Sequence, residues 1–302
     1  MVKILILSDL LIDFHINENL FNNGIQTEKG IPVVSGTGFN AAKSFHKHGL
    51  ECMLLGYVGN DENGMHIKRK INELEIPSII NIYKNKETSI FHIILSRRYS
   101  NSIRLSIDET KGSVNITNND IKNLLSNSLI NKGDYIFITA HFFYRKSLQE
   151  AKKMIETIVS FGLLIIVDLT PHIIYKKISF SDFSYVFGAN IHILVSELYT
   201  ISRVFDISCN EESPNQKDIN KILKYSKSDI LILNYGKENN ESRQILQIHN
   251  GSIKIISNIR ETGFTNLSIE EKFSWGEDIL SNFMLKLIKS INSKNKKQGT
   301  IL

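Results

Sequence analysis

The sequence predicts an α/β fold, with a mainly parallel sheet flanked by helices on both faces and a small antiparallel β lid beside it. Short β-branched runs alternate with amphipathic stretches along most of the chain, which is the pattern of strand–helix units. The strand runs are almost continuously apolar, as strands covered on both faces are. Two stretches break the rhythm with β-patterns of their own, and no repeat or low-complexity linker sets them apart. The 302 residues, 42% of them hydrophobic, therefore read as one domain, 1–302, with lid segments at about 10–34 and 87–108.

In chain order, Val2–Leu7 reads as a buried first strand. Its apolar core is too brief for a signal peptide, and aspartates follow at once with no small-residue cleavage pattern. Leu10–Val34 is the first break, with short extended segments around Asn17-Glu18-Asn19 and Asn22-Asn23-Gly24. Phe39–His48 and Gly64–Leu74 place apolar residues every three or four positions and predict helices, with a strand at Cys52–Leu55 between them. The second break, Glu87–Asp108, reads as a hairpin: Ser89–Leu95 and Ser102–Ile107 flank the polar turn Arg97–Asn101. Strands then follow at Tyr135–Thr139, Leu163–Val167, His192–Val195 and Asp229–Leu233. They alternate with helices at Ser147–Ser160, Glu197–Phe205, Gln216–Tyr225 and Glu277–Ile291. A layer inserted so early in an α/β chain reads as a lid, a dimer surface or a sheet edge.

Composition narrows the function. Cys52 and Cys209 are too few for a disulfide framework and lack metal-ligand spacing, which implies a reducing, cytoplasmic location. Nothing approaches the run of ~20 apolar residues that crosses a bilayer. The net charge of +5 is modest, and the cluster Lys289, Lys294, Lys296 and Lys297 has no stacking aromatics beside it. It reads as a solvated tail, so no nucleic-acid or membrane partner is expected. His46 and His48 are two apart on a helix and share no face, and His141 reads as surface or core-satisfied, although it follows a strand end. No lysine P-loop or Gly-x-Ser-x-Gly elbow occurs.

Gly36-x-Gly38-x-x-Ala41 fits a loose dinucleotide fingerprint, but that motif joins the first strand directly to the first helix. Here positions 8–35, about 28 residues, intervene, and no acidic residue closes the next strand. A glycine turn entering a helix accounts for the match better than dinucleotide binding does. A longer pattern takes in more residues: Ser35-Gly36-Thr37-Gly38-Phe39-Asn40-Ala41-Ala42-Lys43, then His48-Gly49, then Gly56-Tyr57-Val58-Gly59-Asn60-Asp61-Glu62-Asn63-Gly64. In order and spacing it resembles the N-terminal signature of the ribokinase-like (PfkB) carbohydrate and nucleoside kinases. The opening Lys3–Asp13 is similar to that family's first strand, which ends in a substrate-binding aspartate. The resemblance implies that Asp13 accepts hydrogen bonds from sugar hydroxyls, with Gly36, Gly38, Asn40 and Lys43 in the same pocket. A carboxylate and an amide at strand and helix ends suit a polyol's donors and acceptors.

The family's second signature is an Asp-Thr-Thr-Gly-Ala-Gly-Asp stretch that opens a helix, forms an anion hole and ends in the catalytic base. Lys272-Phe273-Ser274-Trp275-Gly276-Glu277-Asp278 is its counterpart. The resemblance implies that Asp278 is the general base and that Trp275, Gly276 and Glu277 form the anion hole. Trp275 and Glu277 stand where the family has glycines. A Cβ at Trp275 narrows the backbone shapes available. Glu277 next to a polyphosphate at ~4 Å and an effective dielectric of ~20 repels by about 4 kcal/mol, roughly three decades in rate. A magnesium ion or outward rotation of Glu277 relieves it. The same segment also reads as a capping box, Ser274-x-x-Glu277, with Asp278 favouring the helix dipole. The alternative register on Thr262–Asn266 lacks the carboxylate and the apolar helix.

Other family marks are altered. Asp168-Leu169-Thr170-Pro171-His172 sits at an Asp-x-Asn-x-Arg strand end, and Ser196-Glu197-Leu198-Tyr199 at an Asn-x-x-Glu motif. Glu197 reads either as a substitute in that motif or as a helix-start glutamate. Asn234 replaces the threonine of a Thr-x-Gly nucleotide loop whose glycine is Gly236. The resemblance implies ATP and Mg2+ as cofactors, a sugar or nucleoside as acceptor, and a homodimer through the β lid. Its altered half keeps a second reading open, a non-catalytic relative that binds a sugar-like ligand.

Overall fold

The computed structural model describes residues 2–17, 31–95, 103–109, 116–139, 146–169, 177–209, 214–235, 242–249, 252–260, 280–281 and 283–289. The chain divides into two units, Met1–Leu5 with Thr117–Leu302, and Ile6–Ile116. Strand β1 (Ile4–Asp9) runs through the division.

In the larger unit the strand order is β13-β12-β11-β10-β9-β8-β1. β8 (Tyr135–Thr139), β9 (Leu164–Leu169), β10 (Ile191–Glu197) and β11 (Ile230–Tyr235) pair in parallel. Every residue of β8 is buried, as expected where both faces of a parallel sheet are covered. Helix α3 (Asn118–Ser126) precedes β8, and α4 (Leu148–Ser160) turns Ala151, Met154, Ile155 and Ile158 inward at a spacing of three to four residues. Capping boxes open both helices, Thr117 with Asp120 and Ser147 with Glu150, each satisfying two N–H groups that the first turn leaves free. α4 packs on α5 (Phe180–Phe187). α6 (Leu198–Val204), α7 (Gln216–Ser226) and α8 (280–281 and 283–289) complete the helices described here. β12 (Ser242–His249) and β13 (Ser252–Arg260) extend the sheet as an antiparallel pair.

In the smaller unit β4 (Cys52–Gly59) lies between β1 and β5 (Ser78–Tyr83), and β4 and β5 are parallel. Helices α1 (Thr37–Lys47) and α2 (Glu62–Glu73) belong to this unit. A separate four-stranded sheet has the order β3-β2-β6-β7, from β2 (Leu11–Asn17), β3 (Ile31–Ser35), β6 (Ser89–Leu95) and β7 (Ile103–Glu109).

The six predicted parallel strands and five of the helices that alternate with them are present, with ends shifted by a few residues; of the sixth, Glu277–Ile291, residues 280–281 and 283–289 are helical and the rest lie outside the described residues. The expectation of an antiparallel lid needs correction, because that sheet is mixed. β2–β3 and β6–β7 are antiparallel, but the central β2–β6 pair is parallel. Each break in the rhythm makes its own out-and-back pair, and the two outgoing strands lie side by side. β4 also runs on through Gly56 to Gly59, beyond the predicted Leu55. Of the extended segments expected around Asn17-Glu18-Asn19 and Asn22-Asn23-Gly24, Asn17 ends β2 and the rest lie outside the described residues, as does the turn at Arg97–Asn101.

Candidate functional site

In the smaller unit the buried carboxylate is Asp13. It stands mid-strand on β2, paired with Val33 of β3 and Phe91 of β6, and is 7% exposed. Burial raises its pKa from 3.8 to about 6, while a hydrogen bond from the Ser35 side chain pulls the other way. Ser35 ends β3 and leads into Gly36, the N-cap of α1. Gly36 has φ 117°, a region that a Cβ disfavours, and its carbonyl accepts from Asn40 N–H at 2.9 Å. A Cβ on Gly38 would lie 2.5 Å from the Ser8 Cβ and 2.7 Å from its Cα, so α1 can start this close to the end of β1 only with glycine there. Asn40 and Lys43 are outside the buried set of α1. With Gly36 they fall at i, i+4 and i+7 and share one helix face.

The Gly56–Gly64 stretch serves geometry. Asp61 caps α2 and reaches Thr88, directly before β6. Its Oδ2 accepts from Thr88 N–H at 2.6 Å, and its Oδ1 from the Thr88 hydroxyl at 2.6 Å and Gly64 N–H at 2.7 Å. Thr88 Oγ1 in turn accepts from Gly59 N–H at 3.0 Å. Burial pushes the Asp61 carboxyl up, but the bonds from Thr88 and Gly64 outweigh it and leave its pKa below the usual value.

In the larger unit three polar side chains end adjacent parallel strands. Val195 pairs with Asp168, and Glu197 pairs with Asn234. Ligands of open α/β sheets bind beyond such carboxyl ends. Desolvation raises the Asp168 pKa to about 7, and repulsion from Glu197 adds to it. Glu197 is the N-cap of α6 but makes no side-chain cap there. Asn234 Oδ1 and Thr200 Oγ1 are buried with no hydrogen-bond partner among the described residues. Ser196, in the place of the family's asparagine, turns its hydroxyl to Leu169 O at 3.3 Å and Glu197 O at 3.0 Å.

Of the predicted site residues, Asp13, Gly36, Gly38, Asn40 and Lys43 fall in the smaller unit, and its strand pairing and helix start bring Asp13, Ser35 and Gly36 to neighbouring positions. Asn234 falls at the β11 end of the larger unit. Trp275, Gly276, Glu277, Asp278 and Gly236 lie outside the described residues. Sequence reasoning missed the part played by Ser35 at Asp13 and by Thr88 at Asp61. The step from Ser35 into the glycine turn was a signal for the first; no local pattern marks the second, which bridges 27 positions. It also left the repulsion between Asp168 and Glu197 unread, because strand order alone makes them neighbours.

No protein-family model matches the chain. A protein of Buchnera aphidicola subsp. Schizaphis graminum, described as an uncharacterized sugar kinase, is 26% identical over 176 residues, 55% of this chain and 52% of that protein. The matched stretch thus spans about half the length of this curated relative. Among solved structures, Escherichia coli phosphofructokinase-2 with substrates and products superposes with a TM-score of 0.67 at 13% identity, over 96% of this chain and 87% of that one. A Vibrio cholerae O395 fructokinase double mutant, bound to fructose, ADP and potassium, gives 0.64 at 11% identity over 86% and 77%. Giardia lamblia ribokinase gives 0.62 at 16% identity over 85% and 76%. The fold is that of the ribokinase-like kinases, and the resemblance read from the motifs agrees with it.

Proposed function

We propose that this protein is a carbohydrate kinase that transfers a phosphoryl group from ATP to a hydroxyl of a sugar or nucleoside-like molecule. The carrying observation is Asp13, a carboxylate held buried beside Ser35 and the glycine-started helix α1. Binding a polyol there offsets the desolvation, since its hydroxyls donate to the charged form. Asn40 and Lys43, on the Gly36 face of α1, orient the acceptor. Asp278 takes the proton of the attacking hydroxyl, and the backbone N–H groups of Trp275–Asp278 stabilise charge on the transferring group. Asn234 and Gly236 contact the nucleotide. Most of the acceleration comes from positioning and charge stabilisation.

The residues fit a divalent cation. Magnesium favours one or two carboxylates together with substrate phosphates, and Asp168 and Glu197 are two carboxylates whose mutual repulsion a cation relieves. Asn234 supplies an amide oxygen without a partner among the described residues. Bound there, magnesium would neutralise charge on the phosphates.

The decisive experiment incubates the protein with magnesium-ATP and a panel of sugars and nucleosides, and measures ADP release. Acceptor-dependent release supports the reading. The second reading, a sugar binder without catalysis, draws on Trp275 and Glu277 in the two glycine positions. Thermal stabilisation by a sugar, with no ATP binding by calorimetry, would establish that reading and exclude the kinase.

A further inference from the structure

We infer that Asp61 is a positioning residue for acceptor binding, which holds the start of β6, and through the β2–β6 pairing Asp13, by its latch onto Thr88. The inference rests on the kinase reading for what Asp13 binds, and on the smaller unit alone for the latch.

Three observations converge on Thr88. The Asp61 carboxylate takes both its N–H and its hydroxyl at 2.6 Å, so the main chain and side chain of one residue are gripped by one group. The Thr88 hydroxyl also accepts from Gly59 N–H at the end of β4, at 3.0 Å. Two glycines make room for it: a Cβ on Gly59 would lie 2.5 Å from Thr88 N and Lys86 O, and one on Gly64 would meet Gly59 O and lie 3.0 Å from Thr88 Oγ1. The spacing Gly59-x-Asp61-x-x-Gly64 is thus a socket, and Thr88 is what it holds. Thr88 is 3% exposed and Ser89 6%, so the Thr88 side of these bonds is shielded from water, while Asp61 is only half-buried.

From the socket the chain enters β6 directly. Ser89 pairs with Leu11, Ile90 with Ile12 and Phe91 with Asp13 in one unbroken parallel register. Side chains on a strand change face with each residue, so a slip of one position would set a different neighbour beside Asp13. A parallel pair has no hairpin turn to fix its register. The latch at Thr88, one residue before Leu11's partner Ser89, supplies that restraint. Asp61 therefore acts through β6 and contacts no substrate.

The test uses the full chain with Asp61→Asn, Thr88→Val and Thr88→Ser, and D-fructose, D-ribose and adenosine as acceptor probes with magnesium-ATP. Asparagine keeps one acceptor oxygen and cannot take the Thr88 N–H and hydroxyl together. Valine keeps the shape and loses the hydroxyl. Each is expected to raise the acceptor KM about tenfold, the size of one charge-assisted hydrogen bond, with kcat within about twofold. Thr88→Ser is expected to match wild type. Hydrogen exchange of the β2 and β6 amides is expected to quicken about tenfold in Asp61→Asn and Thr88→Val, with β8 and β9 unchanged. Unchanged KM in both variants, or faster exchange spread evenly over β8 and β9, overturns the inference. If wild type phosphorylates none of the probes, the kinase reading is what fails for them, and the exchange pattern still decides whether Asp61 holds the Asp13-bearing pair. Should Asp61→Asn fail to fold, Thr88→Val against Thr88→Ser carries the same contrast.

Discussion

The two units treat their polar residues differently. In the smaller unit three motif residues have a partner or a steric reason: Asp13 has Ser35, Asp61 has Thr88 and Gly64, and Gly38 meets Ser8. In the larger unit the strand ends carry demands the described residues leave unmet. Asp168 and Glu197 repel each other, and Asn234 Oδ1 and Thr200 Oγ1 are buried without partners among those residues. Buried polar groups cost free energy unless paired. The Asp61 latch and the Gly38 packing are satisfied within the smaller unit, whereas the larger unit's strand ends, like the desolvated Asp13, carry a cost that a ligand would offset. The contrast also matches the sequence, where the motifs of the smaller unit are well kept and those of the larger are altered at several points.

The largest test of that contrast lies in the altered half. Asp278→Asn is expected to cut phosphorylation by about 10²- to 10⁴-fold, the usual contribution of a general base, with acceptor KM little changed. Coupled ADP-release kinetics measure it, and a fully active variant would remove Asp278 from the mechanism. Asp13→Asn tests the well-kept half next. Because the folded pKa of about 6 lies above the ordinary 3.8, ionising Asp13 opposes folding. Its contribution is fully present below the unfolded pKa and is lost as pH rises through the folded one. The variant is therefore expected to be more stable by up to about 3 kcal/mol near neutral pH, equal to wild type near pH 3, and poorer in acceptor binding. Urea unfolding at both pH values checks it; the same gain at both would show that titration is not the cause.

Gly38→Ala is expected to cost about 2 kcal/mol, since the new Cβ meets the Ser8 backbone and a packed core resists overpacking. A cost below about 0.5 kcal/mol, the range of surface substitutions, would mean that α1 and β1 yield easily there. Thr200→Val sets the other limit. Its hydroxyl is fully buried without a partner among the described residues, so an apolar group of the same shape is expected to be neutral or stabilising by about 1 kcal/mol. A marked loss of thermal stability would reveal a partner for the hydroxyl and weaken the comparison.

Much of this was legible from residues alone. Apolar runs such as Tyr135–Thr139 and the three-to-four spacing of Ala151, Met154, Ile155 and Ile158 declare their elements, because burial dictates the period. Other elements escaped through weaker patterns. β5 is partly exposed throughout, so its sequence lacks the apolar run of a central strand. β12 and β13 carry glutamines and serines, and the Asn250-Gly251 dipeptide between them was the available hairpin signal. Thr117-x-x-Asp120 and Ser179-x-x-Asp182 marked α3 and α5, which hydrophobic spacing alone did not reveal.

By itself the sequence determined the α/β class, the order of most elements, and the positions at which glycine, asparagine and aspartate recur at family spacing. These follow from local rules, in which each residue's own chemistry and its near neighbours suffice. Only the tertiary structure decided that the lid sheet is mixed, that Asp13 is buried against Ser35, that Asp61 grips Thr88, and that Asp168 and Glu197 are neighbours. Those facts depend on which strands lie side by side, and strand pairing joins residues far apart in the chain, where no local pattern records the choice.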